Sequence, residues 1–223
     1  MKRSLTLPAE GRLLVSTDLH GNLRDWRSLR AIFEANPGAH WVILGDLVHG
    51  PDEQTARVNP HLYGFEDRSP ELIDELFEVR ERWPGQVHFV LGNHDAGHVG
   101  FRHTGKFHPD EVEHLEAALS PTQRTRWRRL CAEALLAIVA PCGLLLTHGS
   151  PGDALTSLSL LDGPLPPVPG DDARTVAIGE TLWCYGQRRE ITERLLARLS
   201  AESGQALRVV VHGHDRDESG WFT

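Results

Sequence analysis

The chain has 223 residues, 40% hydrophobic and 24% charged, with 23 Lys and Arg against 31 Asp and Glu for a net charge of −8. That length can bury roughly 70–75% of the surface its unfolded form exposes, enough for one globular domain, read here as residues 1–223. The acidic excess disfavours a nucleic-acid partner, whose backbone calls for a positive field. The longest apolar run falls far short of the ~20 residues that cross a bilayer, so no membrane partner is expected.

The first strand-like run is Arg12–Ser16, followed by a polar turn and a helical segment over Asp25–Ala35 with Trp26, Leu29, Ile32 and Phe33 on one face. His40–Leu44 is the second strand, and Pro51–Ser69 reads as a long loop. Pro70–Trp83 is an amphipathic helix whose apolar face is Leu72, Ile73, Leu76, Phe77 and Val79, stopped by Pro84-Gly85. Gln86–Leu91 is the third strand. Two helices follow, one starting near Pro109 and one after Ser120-Pro121, with Ser120 as N-cap. Gly143–Leu146 is the fourth strand, Asp162–Asp172 a Pro- and Gly-rich loop, Glu190–Ser203 a helix and Leu207–Val211 the fifth strand. Strands separated by helices predict a layered α/β architecture.

Each of the five strands runs into a polar cluster: Asp18-Leu19-His20-Gly21-Asn22, Gly45-Asp46, Gly92-Asn93-His94-Asp95, Thr147-His148-Gly149 and His212-Gly213-His214-Asp215. A lone Asp or Asn after a strand is usually a turn residue, and a lone His is usually a core or surface residue. Five such endings in five strands form the pattern of a site, because side chains at the carboxyl ends of α/β strands converge. Carboxylate, imidazole and amide donors without cysteine suit Mn²⁺, Fe²⁺ or Zn²⁺. The donors suffice for two ions about 3.5–4 Å apart, an arrangement able to activate water and hold phosphoryl oxygens. Cys131, Cys142 and Cys184 form no CxxC pair, and MKRSLTLPAEGR lacks the apolar core of a signal peptide, so the expected location is cytoplasmic.

The series DLHGN, GDLV, GNHD, THG and HGHD, running from Asp18 to Asp215, resembles the calcineurin-like metallophosphoesterases, and in particular their bacterial phosphoprotein-phosphatase-type members. The resemblance implies a two-sheet sandwich flanked by helices in four αββα layers, with a further strand beginning at Trp221-Phe222 after the last motif. It also implies two divalent ions, with manganese expected and iron or zinc as alternatives. Asp18 and His20 would bind the first, Asp46 would bridge, and Asn93, His148 and His214 would bind the second. A metal-bridging hydroxide would attack phosphorus, and His94 would protonate the leaving alkoxide. The last motif admits two alignments, one with His214 as ligand and His212 in support, the other with both as ligands. The Gly213-His214 turn favours the first.

The chain departs from this pattern at the second motif. The phosphatase branch carries an Asp-Arg pair where this sequence has His49-Gly50. The aspartate would orient the acid histidine, and its loss predicts a His94 with a poorly fixed tautomer and less tendency to hold a proton at neutral pH. Asp52 or Asp95 can take the orienting role; Asp95 is placed beside His94 as a catalytic candidate. The arginine would grip the phosphate; Arg57, Arg68 and Arg102 are candidates to reach in. Arg124, Arg126, Arg128 and Arg129 around Trp127 read as a solvated helix face. His98, His103 and His108 are candidates for pocket lining. The expected function is phosphomonoester hydrolysis on a phosphorylated protein or small molecule. A diadenosine-polyphosphate or phosphodiester hydrolase, with Trp26, Trp183 or Tyr185 as a stacking platform, is the alternative, followed by a catalytically weak metal-bound binding module.

Overall fold

The computed structural model describes residues 1–215. In chain order the elements are β1 (Ser4–Thr6), β2 (Leu13–Ser16), α1 (Leu23–Glu34), β3 (His40–Ile43), α2 (Glu53–Val58), α3 (Pro60–Tyr63), α4 (Ser69–Arg82) and β4 (Val87–Phe89). They continue with α5 (Asn93–Ala96), α6 (Glu111–Ala118), α7 (Pro121–Glu133), β5 (Ala137–Ala140), β6 (Leu144–Leu146), α8 (Asp172–Trp183), α9 (Arg189–Ser203) and β7 (Val209–Val211), with short 3-10 turns at Gly97–Val99 and Leu158–Leu161. This is the mixed α/β class, with two sheets flanked by helices.

The chain divides into two compact units. The first comprises residues 10–134 with 164–166. Its sheet has the order β2-β3-β4, with both pairs parallel and Leu13 facing His40 and Trp41 facing Val87. The central strand is apolar on both faces, and Trp41, Val42 and Ile43 are fully buried, as a parallel strand covered by helices requires. Trp26 of α1 stacks on Trp41 with ring centroids 4.6 Å apart. Helix α1 begins where Asn22 accepts a hydrogen bond from the Asp25 amide, and it buries Leu23, Trp26 and Phe33. Ile32 stands exposed instead, one position off the buried stripe. Helix α4 buries Leu72, Ile73, Leu76 and Val79, and its Phe77 lies under the Arg126 guanidinium at 4.1 Å.

The predicted loop 51–69 contains two short helices. Asp52 caps α2 by accepting from the Thr55 amide at 2.7 Å, and Pro60 opens α3 with the φ a first helical turn needs. Neither helix buries a residue, so no apolar periodicity marked them. Helix α7 starts at the predicted Ser120 cap. Its Trp127 is fully buried, while Arg126, Arg128 and Arg129 pair with Glu81, Glu116 and Glu133 as a solvated face. Arg124, the fourth arginine expected there, instead turns its guanidinium to the Glu116 and Leu119 backbone carbonyls.

The second unit comprises residues 1–9, 135–163 and 167 onward. Its sheet has the order β1-β5-β6-β7, with β5 and β6 antiparallel and the other two pairs parallel. Strands β1 and β5 and helix α8 add to the elements expected from sequence; β1 and β5 are three- and four-residue runs too short to show alternation. The Asp162–Asp172 stretch carries no strand and no helix until its last residue opens α8. The Trp221-Phe222 strand lies outside the described residues. All three cysteines are free thiols. Among the described residues no helix is long and apolar enough to cross a membrane.

Candidate metal centre

Within the first unit, three neighbouring parallel strands end side by side and their loops are laced together by the backbone. The Asp18 amide donates to the Gly45 carbonyl at 3.1 Å, the His20 amide to the Asp46 carbonyl at 2.9 Å and the Gly21 amide to the Leu47 carbonyl at 2.9 Å. The His94 amide donates to Asp46 Oδ1 at 2.9 Å, which ties the third loop to the carboxylate of the second. A Cβ on Gly92 would fall 2.3 Å from both Asp46 N and Asp46 Oδ1, so only glycine lets β4 approach this closely. Among the described residues, the non-glycine positions with positive φ are Asp18 (52°), His20 (47°), Asp46 (50°), His49 (68°) and His214 (66°). Left-handed backbone at such residues is costly, and it concentrates at binding sites where the surrounding structure holds it in place.

The donor set fits a divalent cation. One donor atom from each of the buried residues His20, Asp46 and His94 lies within 4.8 Å of the others. Asp18 Oδ1 is 3.9 Å from His20 Nε2. Burial, followed by the Lys106 ammonium, pushes the His20 pKa down to about 4, so the imidazole is neutral. Its Nδ1 lies 3.2 Å from the His49 carbonyl, which makes Nδ1 the donor and turns the Nε2 lone pair outward. Such an outer hydrogen bond is how metal-ligating histidines are held. The Nε2 lone pair receives the Lys106 ammonium at 3.1 Å, a cation on the ligand nitrogen.

Asp95 does not stand where the sequence placed it. It is fully buried, with Oδ2 accepting from the Asp46 amide at 2.7 Å and the Gly92 amide at 3.1 Å, and Oδ1 from the Leu47 amide at 3.3 Å. The carboxylate at His94 Nδ1 is instead Glu111 at 2.7 Å, on the first residue of α6. Asp52 is engaged in capping α2. His94 Nε2 faces Asp46 Oδ2 at 3.9 Å. Burial by itself would lower the His94 pKa, but the Asp46 and Glu111 carboxylates outweigh it and raise it above the ordinary histidine value. Glu111 resists the opposing effect of burial through hydrogen bonds from His94, Thr104 and the Phe107 amide, which hold it down at about 2. The carboxylate partner for His94 that the sequence did not reveal is thus supplied by Glu111.

His49, at the family's aspartate position, is buried and kept neutral, and its Nε2 meets His98 Nε2 at 3.0 Å. His98 pairs with Glu116 through Nδ1 at 3.0 Å, His103 with Asp110 at 2.8 Å, and His108 stacks on His114, so the three supposed lining histidines turn to different partners. At the arginine position, a Cβ on Gly50 would come within 2.6 Å of Asp67 Cβ. Arg57 and Arg68 form surface ion pairs with Glu53 and Glu71. Glu111, Lys106, Asp67 and Ser69 were not singled out by motif. Only Lys106 carried a faint signal, as one of two lysines in the chain.

In the second unit, the parallel neighbours β6 and β7 end at His148 and at His212–His214. The Gly213 amide donates to the His148 carbonyl at 2.9 Å, and the His148 and His214 rings lie 5.2 Å apart. His148 is fully buried. His212 Nδ1 lies 2.8 Å from the Gly213 carbonyl. Tyr185 stacks on His214 with centroids 4.9 Å apart and stays 64% exposed, whereas Trp26 is fully buried and is no platform.

Carboxylates and imidazoles on adjoining strand ends suit a metal-dependent phosphoesterase class. A family model for calcineurin-like phosphoesterases matches residues 11–216, and the chain belongs to that family. Members typically bind two divalent metals and act on phosphorylated substrates. No curated protein matches the chain. Among solved structures it is similar to a serine/threonine protein phosphatase from Saccharomyces cerevisiae with similarity to human phosphatase PP5, at 16% identity and TM-score 0.62, covering 97% of this chain and 65% of that one. It is also similar to a cold-active protein-tyrosine phosphatase of a psychrophilic Shewanella, at 15% identity and TM-score 0.58, covering 98% and 69%. These likenesses concern the fold, and the chain spans less than two thirds of the yeast phosphatase's length.

Proposed function

We propose that the chain is a dinuclear metal-dependent phosphatase that hydrolyses a phosphomonoester, on a protein Ser/Thr side chain or a small molecule, and that residues 1–223 act as one domain. The family model running across both units supports a single domain. The observation that carries the function is the strand-end cluster of Asp18, His20 and Asp46, with left-handed backbone at all three and the buried Asn93 opening α5 after the third strand. These residues, with His148 and His214, form the proposed ligand set, Asp46 bridging; manganese is the expected ion, with iron or zinc as alternatives. The ions would supply Lewis acidity and a water activated at neutral pH.

The protein groups do the rest. His94, with its raised pKa and Nε2 toward Asp46, is suited to protonate a poor alkoxide leaving group. The Lys106 ammonium, lying over the Phe107 ring at 4.8 Å and the Tyr63 ring at 5.5 Å, is suited to hold a phosphate dianion where the family arginine is missing. Asp95 holds the ligand loops rather than the proton. The free cysteines fit the proposed cytoplasmic location.

A second reading has one observation behind it. The exposed Tyr185 ring beside His214 offers a stacking surface for a nucleobase, as a dinucleoside-polyphosphate hydrolase needs. The test is a Mn²⁺-loaded panel of phosphoserine peptide, nucleotide diester, dinucleoside polyphosphate and para-nitrophenyl phosphate. Phosphoserine peptide and para-nitrophenyl phosphate should turn over fastest. A tenfold lead of the dinucleoside polyphosphate would select the second reading, and no turnover of any substrate would leave a binding module. Asp46→Asn should lose at least one equivalent of bound metal and most turnover; two retained ions with full turnover would remove the bridging role.

A further inference from the structure

The loop between Gly97–Val99 and α6 turns back on His94, and its residues close around one carboxylate. Glu111 is fully buried. Its Oε1 accepts from the Phe107 amide at 2.8 Å, Thr104 Oγ1 donates to its Oε2, and its own amide reaches the Thr104 carbonyl at 3.3 Å. His94 Nδ1 faces Oε2 at 2.7 Å and lies 3.1 Å from Thr104 Oγ1. A buried carboxylate is strongly disfavoured unless paired and hydrogen-bonded, and the Phe107 amide, Thr104 hydroxyl and His94 ring that pair with it also fix its rotamer. The position that the family's aspartate would fill has been reassigned, since His49 pairs with His98 and offers His20 its backbone carbonyl.

We propose that Glu111, seated by Thr104, is the positioning residue for His94. From the first turn of α6 it takes over the part that the missing aspartate would play. The inference rests on the reading of His94 as the acid. Holding the proton of Nδ1 on Glu111 leaves the Nε2 proton as the one that can transfer, and aims it at the leaving oxygen. In the step this serves, a water oxygen bonds to phosphorus and the phosphorus–alkoxide bond breaks. The Nε2 proton goes to the alkoxide, which departs as the alcohol, and the imidazole recovers a proton equivalent to the one the attacking water releases. Electrons and protons balance with no further reactant.

The test uses the full chain loaded with Mn²⁺, comparing wild type, Glu111→Gln and Thr104→Val on para-nitrophenyl phosphate and on an alkyl phosphomonoester such as phosphoserine peptide. General acid catalysis is worth about 10²–10⁴-fold and matters where the leaving group is poor. Glu111→Gln should lower kcat for the alkyl ester by about 100-fold or more with KM within about twofold, and lower that for the nitrophenyl ester by less than about fivefold. Thr104→Val should show a smaller loss with the same leaving-group bias. Adding Glu111→Gln to His94→Ala should cost nothing more for the alkyl ester. Equal losses on both esters, additive losses, or an unchanged alkyl rate would overturn the proposal. If wild type hydrolyses neither ester, the phosphatase reading fails on its own. The His94 Nδ1–H proton resonance, read in the protein loaded with diamagnetic Zn²⁺, still decides the contact: it should be protected in wild type and Thr104→Val and absent in Glu111→Gln. If Glu111→Gln does not fold, Thr104→Val carries the same decision through its leaving-group bias.

Discussion

Replacing Asp95 by alanine removes one side chain and strands three backbone donors. The amides of Asp46, Leu47 and Gly92 all point at its carboxylate, at 2.7, 3.3 and 3.1 Å, and all four residues are buried. A buried donor left without a partner costs about 1–3 kcal/mol. The longest of the three bonds belongs at the low end, so Asp95→Ala should lose about 3–6 kcal/mol, a large part of a typical stability of about 5–15 kcal/mol. Asp95→Asn keeps an acceptor for the Asp46 and Gly92 amides and places an amide nitrogen near Leu47, so it should lose about 1–3 kcal/mol. With a urea m-value of about 2–3 kcal/mol/M, a loss of 3 kcal/mol moves the unfolding midpoint down by about 1–1.5 M. Urea titration by far-UV circular dichroism reads this directly, with metal content measured on the same samples. A midpoint within about 0.3 M of wild type for Asp95→Ala, together with a large loss of alkyl-ester turnover, would refute the structural role and return Asp95 to the chemistry.

Three further outcomes are expected. Gly50→Ala places a Cβ 2.6 Å from Asp67 Cβ, and overpacking of this kind costs about 1–3 kcal/mol. Tm should therefore fall by several degrees and recover in part with Asp67→Gly; an unchanged Tm would show that the loop yields freely. Lys106→Met should raise KM for a phosphomonoester about tenfold with metal content kept, since a hydrogen bond from a charged donor is worth about 1.5–3 kcal/mol; an unchanged KM removes Lys106 from phosphate binding. Burial, then His40 and Arg80, lower the His88 pKa from 6.5 to about 4. The fold thus prefers the neutral ring, so the stability it contributes is present above pH 6.5 and is lost as pH falls toward 4. His88→Gln should flatten that part of the Tm-versus-pH curve, and an identical slope in both proteins would count against the assignment.

The amino-acid sequence alone carries the features that are written in neighbouring residues. Strand runs ending in Gly-Asp, Gly-Asn-His-Asp and His-Gly-His state their own chemistry, and Ser120-Pro121 or the α4 stripe repeats at the spacing of a helix. Helices α2 and α3 escaped because they bury nothing, so only a cap and a proline mark them. The partners of the site residues were decided by tertiary contact alone. Glu111 is 17 positions from His94, and in sequence it looks like any acid in a first helical turn, a place acids favour for electrostatic reasons unrelated to a histidine. His49 finds His98 across 49 positions. Asp95 lies next to His94 in sequence, yet the turn of α5 sends its carboxylate to the amides of the second loop. Adjacent side chains on a tight turn leave in different directions, so proximity along the chain predicted the wrong partner, and only the folded backbone supplied the right one.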